Sequence, residues 1–351
     1  MNALKSLVAA GMRAPSGDNT QPWSFEIDPP AGTIRIQVNE ARDRSPMNAG
    51  QRMARIAVGA AAQNVIWMAE AHKRAAELQI DETSGACEIR VSGAGETALA
   101  LDSVIERRVT NRRLYDRSAV APAVATRLRG LGDPGSPIRT EWALREEMVP
   151  QVELLKSLAA IISDADAILF QIDTMREAFF KNVRFDADDR ADVAEGLSLG
   201  SLEVQGFDRT AFRMLPKLPG WLFRGARIAG QFAAKTNALV SSASGVCLLI
   251  AGDDSPATDV KTGLAMERAW LNLTALGFAV QPMMSLPVLL GAIKYGVTDR
   301  HLAGVPALVE RLEHVVPAIG GGRIAAMLRF GKAPAPTGKT GRLDRESVMR
   351  S

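Results

Sequence analysis

Apolar and polar positions follow two different periods near the start of the chain. From Leu4 to Met12 the apolar residues have helical spacing, and the pattern stops at Pro15. Because the residue before a proline is disfavoured in the helical conformation, this pattern predicts a helix that ends at about Ala14. The segment Trp23–Ile27 alternates large apolar with polar residues, which predicts a β-strand. The polar residues between them therefore belong to a connecting loop.

A second pattern occurs twice in the chain. The segments Gly59–Ala71 and Gly263–Ala275 are both helical in period, and alignment on their glycines places small and long polar residues at the same positions. Each runs into a predicted strand, at 76–80 and at 278–282. Two alanine-rich core helices could also show this similarity by coincidence. Further apolar strand patterns lie at 246–250 and 325–332.

The composition limits the class of protein. Hydrophobic residues make up 47% of the 351 residues, enough for a well-filled core in one large domain or two ordinary ones. The net charge of +3 is too small to indicate nucleic-acid binding. The two cysteines make neither a disulfide framework nor a metal cluster, and no apolar run suits a membrane span or a secretory signal. We therefore expect a cytoplasmic globular protein without a metal ion.

Three polar segments are candidates for ligand binding. The loop at 13–23 gathers several hydrogen-bonding side chains. Four arginines lie between 107 and 113, and their planar charged groups suit a phosphate. A Pro/Gly-rich segment with cations, at 333–342, follows the last predicted strand. Each has a simpler structural explanation as well: an Asx-type turn, a solvated basic turn and a frayed basic terminus.

The first of these segments resembles a family signature. The run Pro15–Trp23 matches the Pro-Ser-x-x-Asn-x-Gln-Pro-Trp motif of the FMN-dependent nitroreductases. The segment Glu106–Tyr115 is similar to their Arg-Arg-Ser-x-Arg-x-Phe segment, with Thr110 near the place of the serine and Tyr115 in that of the aromatic residue. The segment 325–342 resembles their final strand and basic loop. The resemblance implies an α+β, nitroreductase-like fold in which antiparallel-type sheets pack with central helices.

The resemblance also implies an FMN site. In this family the loop residues contact the flavin ring and ribityl chain, whereas the arginine segment and the basic tail hold the phosphate. A loop at 277–287 covers the ring; here it is apolar and lacks the acidic residue of many nitroreductases. The implied cofactor-binding residues are Arg13, Ser16, Asn19, Gln21, Arg107, Arg108, Thr110, Arg112, Pro282, Met283, Met284, Ser285, Arg329, Lys339 and Arg342. No side chain is assigned as catalytic, because the flavin carries the chemistry.

The order of these segments departs from that of an ordinary nitroreductase, in which the arginines precede the loop. This order implies two fused half-units, 1–100 and 101–351, as in the Acg-like branch and in nitroreductase-like domains attached to ThiF-type proteins. The chain would be a pseudo-dimer with one FMN site, either as a monomer or as a homodimer. An insertion at about 185–240 is interpreted as a lid over the pocket. Its basic, aromatic stretch at 206–237 could alternatively lie on a membrane surface.

Three functions fit these features. The first is an FMN-dependent oxidoreductase that passes electrons from NAD(P)H through flavin N5 to a nitro, quinone or unsaturated organic substrate. The second is an FMN-binding protein without turnover, whose lid closes the site and which stores the flavin. The third is a ligand-modifying partner in a biosynthetic pathway. Because the sequence has no Gly-x-Gly-x-x-Gly turn for a stable dinucleotide domain, NAD(P)H would bind only transiently.

Overall fold

The amino-terminal part of the chain forms an antiparallel sheet packed against a long helix. The computed structural model describes residues 2–93, 97–132, 135–146, 152–187, 193–206, 208–224 and 227–350. The first elements are α1 (Asn2–Gly11), β1 (Trp23–Asp28), β2 (Thr33–Val38), α2 (Arg52–Ala71), β3 (Ala76–Ile80) and β4 (Cys87–Val91). Their strands pair in the order β1-β2-β4-β3, and every pair is antiparallel.

A mainly helical segment follows the first strand of the next sheet. After α3 (Ser103–Arg107) and α4 (Pro122–Arg129) comes the strand β5 (Ile138–Leu144). The segment that follows contains α5 (Val152–Gln171), α6 (Asp173–Lys181), β6 (Val183–Arg184), β7 (Leu197–Ser198), α7 (Asp208–Met214), α8 (Gly220–Arg224) and α9 (Arg227–Ser241). The lid region predicted at about 185–240 corresponds to the later part of this helical segment. None of the residues of α7 is buried.

The remaining elements complete a second antiparallel sheet. They are β8 (Gly245–Ala251), α10 (Pro256–Ala275), β9 (Ala279–Pro282), α11 (Ser285–Lys294), α12 (Val305–Ala318) and β10 (Arg323–Gly331). The strands pair in the order β5-β8-β10-β9. All residues of β8 are buried, as its continuous apolar run requires. Ser255 begins α10 by accepting a hydrogen bond from the amide of Thr258 at 3.1 Å.

Both sheets have the same internal order of strands. Each is built from two strands, a long helix and two more strands, and in each the first strand pairs with the second, the second with the fourth and the fourth with the third. The long helices α2 and α10 pack against each other at Gly59 and Gly263. A Cβ atom on Gly59 would lie 2.0 Å from the carbonyl oxygen of Val260, and one on Gly263 would lie 1.9 Å from that of Ile56. Only glycine permits so close a helix crossing.

In the part of the chain that the structure describes, the apolar side chains form one large core and two smaller ones. The large core contains residues of both sheets together with α2 and α10, so the two parts of the chain share it. A second core lies between the outer face of the second sheet and α5, α11 and α12. A third, around Phe223, lies within the helical segment. Mixed helices and strands with antiparallel sheets confirm the predicted α+β class.

The first helix ends earlier than the sequence predicts. It ends at Gly11 rather than at about Ala14. Beyond Gly11 the amides of Arg13 and Ala14 donate to the carbonyls three residues earlier, Ala10 and Gly11, so the chain tightens into a turn before Pro15. A Cβ on Gly11 would lie 3.0 Å from the Phe25 ring, which sets the close packing of this end of α1 on β1.

Within the described ranges, every helix is too short or too polar to cross a membrane.

Candidate functional site

One cavity lies where the predicted ligand-binding segments meet. Its volume is about 570 Å³, within the range of roughly 300–1,000 Å³ that is typical of small-molecule and cofactor sites. Four separate segments of the sequence line it: 13–20, 105–112, 282–288 and 339–342. The wall also includes residues from the loop 43–47, from the start of α2, from α5 and α6, and from the crossing helix α10, together with Asn182 and Leu197. Of the predicted site residues, the cavity is lined by Arg13, Ser16, Asn19, Arg108, Thr110, Arg112, Pro282, Met284, Ser285, Lys339 and Arg342.

The loop after α1 has an unusual backbone. Asp18, Asn19 and Gln21 have φ angles of 45°, 57° and 51°, in the left-handed region that Asn and Asp tolerate better than most residues. The hydroxyl of Ser16 accepts a hydrogen bond from the amide of Gln21 at 2.9 Å, which closes the turn. This closed turn holds Ser16 and Asp18 at the cavity wall.

The side chains of Asn19 and Gln21 connect this loop to distant parts of the chain. The amide nitrogen of Asn19 donates to the carbonyls of Val193, Ala194 and Gly341 at 3.2–3.4 Å. The amide nitrogen of Gln21 donates to Ala194 at 2.7 Å, and its oxygen accepts from the amide of Leu343 at 3.0 Å. Gln21 is fully buried and does not line the cavity. These two residues therefore fasten the helical segment and the carboxyl-terminal segment to the loop.

Two predicted phosphate-binding arginines turn toward the end of α1 instead. Arg108 donates to the carbonyl of Arg13 at 2.7 Å, and Arg342 donates to the carbonyls of Arg13 and Ala14, both at 2.8 Å. Both carbonyls lie in the turn that follows α1, beyond the helix end at Gly11, and charge-assisted hydrogen bonds from the two guanidinium groups satisfy them. Arg108 and Arg342 thus hold the turn after α1 while also lining the cavity.

Arg108 also belongs to a buried ion pair. Its Nε lies 3.0 Å from Oε1 of Glu267 on α10, and its guanidinium carbon lies 4.6 Å from the centre of the Trp270 ring. Burial raises the pKa of Glu267 to about 7 and lowers the pKa of Arg108, while their opposite charges counteract both shifts. Removing either partner would leave an uncompensated group in the core.

Three cations at the cavity have few protein partners. Arg13 and Lys339 are exposed, and neither forms an ion pair with any of the described residues. Arg112 donates to the carbonyl of Ser201 at 2.7 Å, which uses one of its donors. Burial lowers the pKa of Arg112, and the charges of Asp18 and Glu203 oppose that shift. This part of the wall has donors and positive charge available for an anion.

Four carboxyl groups that the sequence did not mark as site residues line the cavity: the exposed Glu106 and three that are withdrawn from water. Burial raises the pKa of Asp18 to about 6, although Asn182 donates to its carboxylate at 3.3 Å. Burial likewise raises the pKa of Asp43 and that of Asp166. The apolar stretch 158–170 contains two carboxylates, Asp164 and Asp166, which was a signal for the pair but did not show which of them faces the cavity. No comparable signal marks Asp43, which lies in an ordinary polar loop.

A large part of the remaining wall is apolar. Its side chains include five methionines, Met47, Met53, Met175, Met266 and Met284, together with Ile56, Ala57, Leu169, Phe170, Phe179 and Val288. Thioether side chains are polarizable and make favourable contacts with aromatic rings. Phe170 and Phe179 come from α5 and α6 and meet edge to face, with ring centres 5.6 Å apart. The cavity therefore combines a cationic region with an adaptable apolar wall.

Four predicted site residues lie outside the cavity. Gln21 is one of them. Arg107, the last residue of α3, is exposed and donates to the carbonyl of Ser103, the first residue of that helix. Met283 is buried in the core beneath the second sheet. Arg329 is fully buried in β10, where it donates to Gln281 at 2.8 Å and to the carbonyl of Arg113 at 2.8 Å, and its guanidinium lies 3.9 Å from the Tyr115 ring.

Histidines and cysteines contribute nothing to this wall. His72, His301 and His314 do not line it. Cys87 and Cys247 are buried free thiols, and burial raises the pKa of both. Among the residues whose structure is described, no group of three or more His, Cys, Asp and Glu is arranged to hold a metal ion.

Comparison with known proteins gives limited additional information. No protein-family model matches the chain. The chain is 27% identical over 289 residues to a Mycobacterium tuberculosis (strain CDC 1551 / Oshkosh) protein named "Uncharacterized protein MT1398". The match covers 78% of this chain and 38% of that protein, so the chain spans about two fifths of the length of the relative that it matches. The fold and the cavity define an α+β protein with a cavity of the size typical of small-molecule sites, and its activity must be argued from the residues of that cavity.

Proposed function

We propose that this protein is an FMN-binding oxidoreductase of the nitroreductase type, which reduces a nitro, quinone or unsaturated organic substrate with electrons from NAD(P)H. One observation carries the proposal: the segments 13–20, 105–112, 282–288 and 339–342 line a single cavity. Three of these contain the sequence patterns similar to flavin-binding segments, although more than 300 residues separate the first from the last. The simpler explanations do not predict this arrangement. They treat the three segments as an Asx-type turn, a solvated basic turn and a frayed terminus, which need not lie near one another.

The chemistry of the wall fits FMN. A phosphate needs cations with available donors, and Arg13, Arg112 and Lys339 provide them. A flat aromatic ring needs an apolar wall, which Met53, Ile56, Met266 and Met284 offer. Thr110, Ser16 and Ser45 add polar groups for the ring edge and the ribityl chain. We assign Arg108 and Arg342 a supporting role, because their guanidinium groups hold the turn after α1.

Bound FMN would accept a hydride from a nicotinamide and pass electrons to a second substrate. The residues of this chain would bind the flavin and orient it toward the substrate. Charge-assisted hydrogen bonds from Arg112, Arg13 and Lys339 to the phosphate would each contribute about 1.5–3 kcal/mol. Phe170 and Phe179, from the helical segment, would bound the space left for a substrate and exclude water from it.

The repeated strand order supports two fused half-units, 1–100 and 101–351. The crossing of α2 and α10 at Gly59 and Gly263 relates the two half-units by local two-fold symmetry. We infer a pseudo-dimer in one chain with one FMN site between the half-units, as a monomer or a homodimer. The buried free cysteines suit a reducing compartment such as the cytoplasm.

A second candidate is FMN storage without turnover. The contacts of segment 193–195 favour it: Asn19 and Gln21 donate to Ala194, and Glu195 pairs with Arg42 at 2.7 Å. These contacts hold the helical segment, whose Phe170 and Phe179 line the cavity, against the loop that contains Ser16. A helical segment that stays closed would retain FMN and exclude a second substrate.

An absorption spectrum of the purified protein, followed by anaerobic addition of NADH or NADPH, tests both candidates. A flavin spectrum that bleaches with a nicotinamide supports the oxidoreductase. A flavin spectrum that stays oxidised with either nicotinamide supports storage. Bleaching by dithionite-reduced mediators is the control that shows that the bound flavin can be reduced. A colourless protein that does not bind added FMN contradicts both.

A further inference from the structure

Asp166 forms a hydrogen-bonded cluster at the cavity wall. It lies on α5, and the hydroxyls of Ser285 and Thr236 donate to its two carboxylate oxygens, one to each. Ser285 is the first residue of α11, and Thr236 lies on α9, so three helices meet at this carboxyl group. Asp166 and Ser285 both line the cavity, whereas Thr236 is buried behind them.

No cation neutralises this carboxyl group within the described residues. The charged groups on the helices around it have other partners: Arg176 on α6 pairs with Asp173 at 2.6 Å, and Arg311 on α12 pairs with Asp164. Lys235, next to Thr236, interacts electrostatically with Asp208, Glu203 and Arg112. The available cations of the cavity belong to the segments 13–20, 105–112 and 339–342. Asp166 thus faces the cavity with hydroxyl partners alone.

These surroundings determine which form of the carboxyl group is stable. Withdrawal from water disfavours the ionised form and raises the pKa of Asp166, while the two hydroxyl donors lower it. In the uncharged form one of the two hydrogen bonds reverses, so that the carboxyl O–H donates to a hydroxyl oxygen. A hydroxyl in that position can pass a proton on, by giving up its own and taking the carboxyl proton. Ser285 has both contacts that such a transfer needs, one with Asp166 and one with the cavity.

We propose that Asp166, acting through the hydroxyl of Ser285, is the proton donor to a ligand in this cavity. The proposal rests on the proposed function, because reduction of an organic acceptor adds a hydride and a proton. FMN, if bound as proposed, would supply the hydride, with NAD(P)H as its reductant. The proton leaves Ser285 Oγ as the Asp166 proton replaces it, and the resulting carboxylate takes a proton from water. Thr236 is a positioning residue that holds the second carboxylate oxygen.

Two kinds of acceptor separate proton delivery from electron transfer. A quinone takes up protons on two-electron reduction, whereas ferricyanide takes one electron and no proton. In the FMN-loaded, reduced protein, Asp166→Asn should slow oxidation by a quinone by about 100-fold or more and leave oxidation by ferricyanide within about twofold. Ser285→Ala should slow the quinone reaction in the same direction. Asp164→Asn is the matched control, because Asp164 lies on the same helix, outside the cavity and paired with Arg311.

An infrared pH titration of the protein without flavin gives an independent readout. At neutral pH the absorbance of protonated carboxyl groups should be larger in the native protein than in Asp166→Asn, by the amount of one group. Glu267, whose pKa burial raises to about 7, contributes to this band in both proteins. An ionised Asp166 at neutral pH would overturn the proposal, as would equal slowing of both acceptors. If FMN does not bind at all, the proposed function fails, while the infrared titration still decides whether Asp166 holds a proton.

Discussion

Gly59 of α2 and Gly263 of α10 face each other, and each packs against the carbonyl of the residue three positions before the other. The relationship is reciprocal: the second contact of Gly59 is with Leu264, one residue after Gly263, and that of Gly263 is with Ala60, one residue after Gly59. Such a contact pattern has local two-fold symmetry. The two segments that the sequence analysis aligned on their glycines therefore meet at the positions used for the alignment.

A methyl group at this crossing should destabilise the fold. Gly263→Ala places a Cβ atom 1.9 Å from the Ile56 carbonyl oxygen, so the helices must move apart. We expect a loss of about 3 kcal/mol in the free energy of unfolding, at the upper end of overpacking penalties, measured by urea denaturation. Gly230→Ala on α9 is the control, because a Cβ there meets nothing within 4 Å; it should raise stability by about 0.4–1 kcal/mol. Equal effects of the two substitutions would contradict the crossing geometry.

The cation assignment can be tested with riboflavin, which lacks the phosphate of FMN. Arg112→Ala and Lys339→Ala should each weaken FMN binding by about 10- to 100-fold, the loss of one charge-assisted contact of about 1.5–3 kcal/mol. Riboflavin affinity should stay unchanged in both variants, as measured by quenching of flavin fluorescence. Arg107→Ala is the control, since Arg107 lies outside the cavity, and it should alter neither affinity. If Arg112→Ala weakened FMN and riboflavin binding equally, Arg112 would not contact the phosphate.

Asp18 should make stability depend on pH. Its pKa is raised from 3.8 to about 6, so the folded protein holds more protons than the unfolded chain between these values. The free energy of unfolding therefore decreases as pH rises through this window. The destabilisation caused by ionising the buried Asp18 carboxyl is fully present above pH 6. Asp18→Asn should remove this dependence and stabilise the protein at pH 7.5 by at most about 3 kcal/mol. Asparagine also accepts the left-handed backbone at this position, where φ is 45°.

Thermal unfolding at several pH values measures this effect. Asp81→Asn serves as the control, because hydrogen bonds from Ser84 lower the pKa of Asp81 and its removal should not stabilise the protein. An Asp18→Asn variant with the pH profile of the native protein would contradict the assignment.

Arg329 should matter for folding rather than for phosphate binding. Arg329→Lys keeps the charge but loses the planar fork that serves Gln281 and the carbonyls of Leu239 and Arg113, as well as the stacking on Tyr115. Leaving buried carbonyls unpaired should cost about 3 kcal/mol or more. Arg127→Lys, on the exposed side of α4, should change stability by less than about 0.5 kcal/mol. A variant of Arg329 that keeps its melting temperature and loses FMN would contradict this role.

Local patterns sufficed where one sequence period decides the structure. The strand β1 and the buried strand β8 appear where periodicity and the apolar run predicted them. The helices α2 and α10 contain the predicted segments and end with them at Ala71 and Ala275, but each begins seven residues earlier, at Arg52 and Pro256. The end of α1 was placed too late, because proline marks where a helix cannot continue and not where its hydrogen bonds change. The sheet order depends on contacts between distant strands, which no local pattern encodes.

The site was harder to predict because side chains of one type take opposite roles. Arg112 and Arg329 are both arginines in segments similar to flavin-binding ones, but Arg112 lines the cavity and Arg329 is enclosed between strands and the loop at 111–113. Their roles depend on which face of the backbone each occupies. Asp164 and Asp166 differ in the same way: two helical positions apart, they point in nearly opposite directions, one to Arg311 and the other to the cavity.

Contacts between residues 342–349 and residues 13–25 determine how much of the chain a ribosome must release before the site can form. Arg342 and Leu343 bond the loop after α1, and Met349 pairs with Phe25 in β1. A nascent chain that has emerged only as far as α12 has both sheets' helices but lacks β10 and one wall of the cavity. Ligand capture must therefore wait until residues 339–349 have also left the exit tunnel, and a chain that stops before residue 339 should fail to hold a ligand.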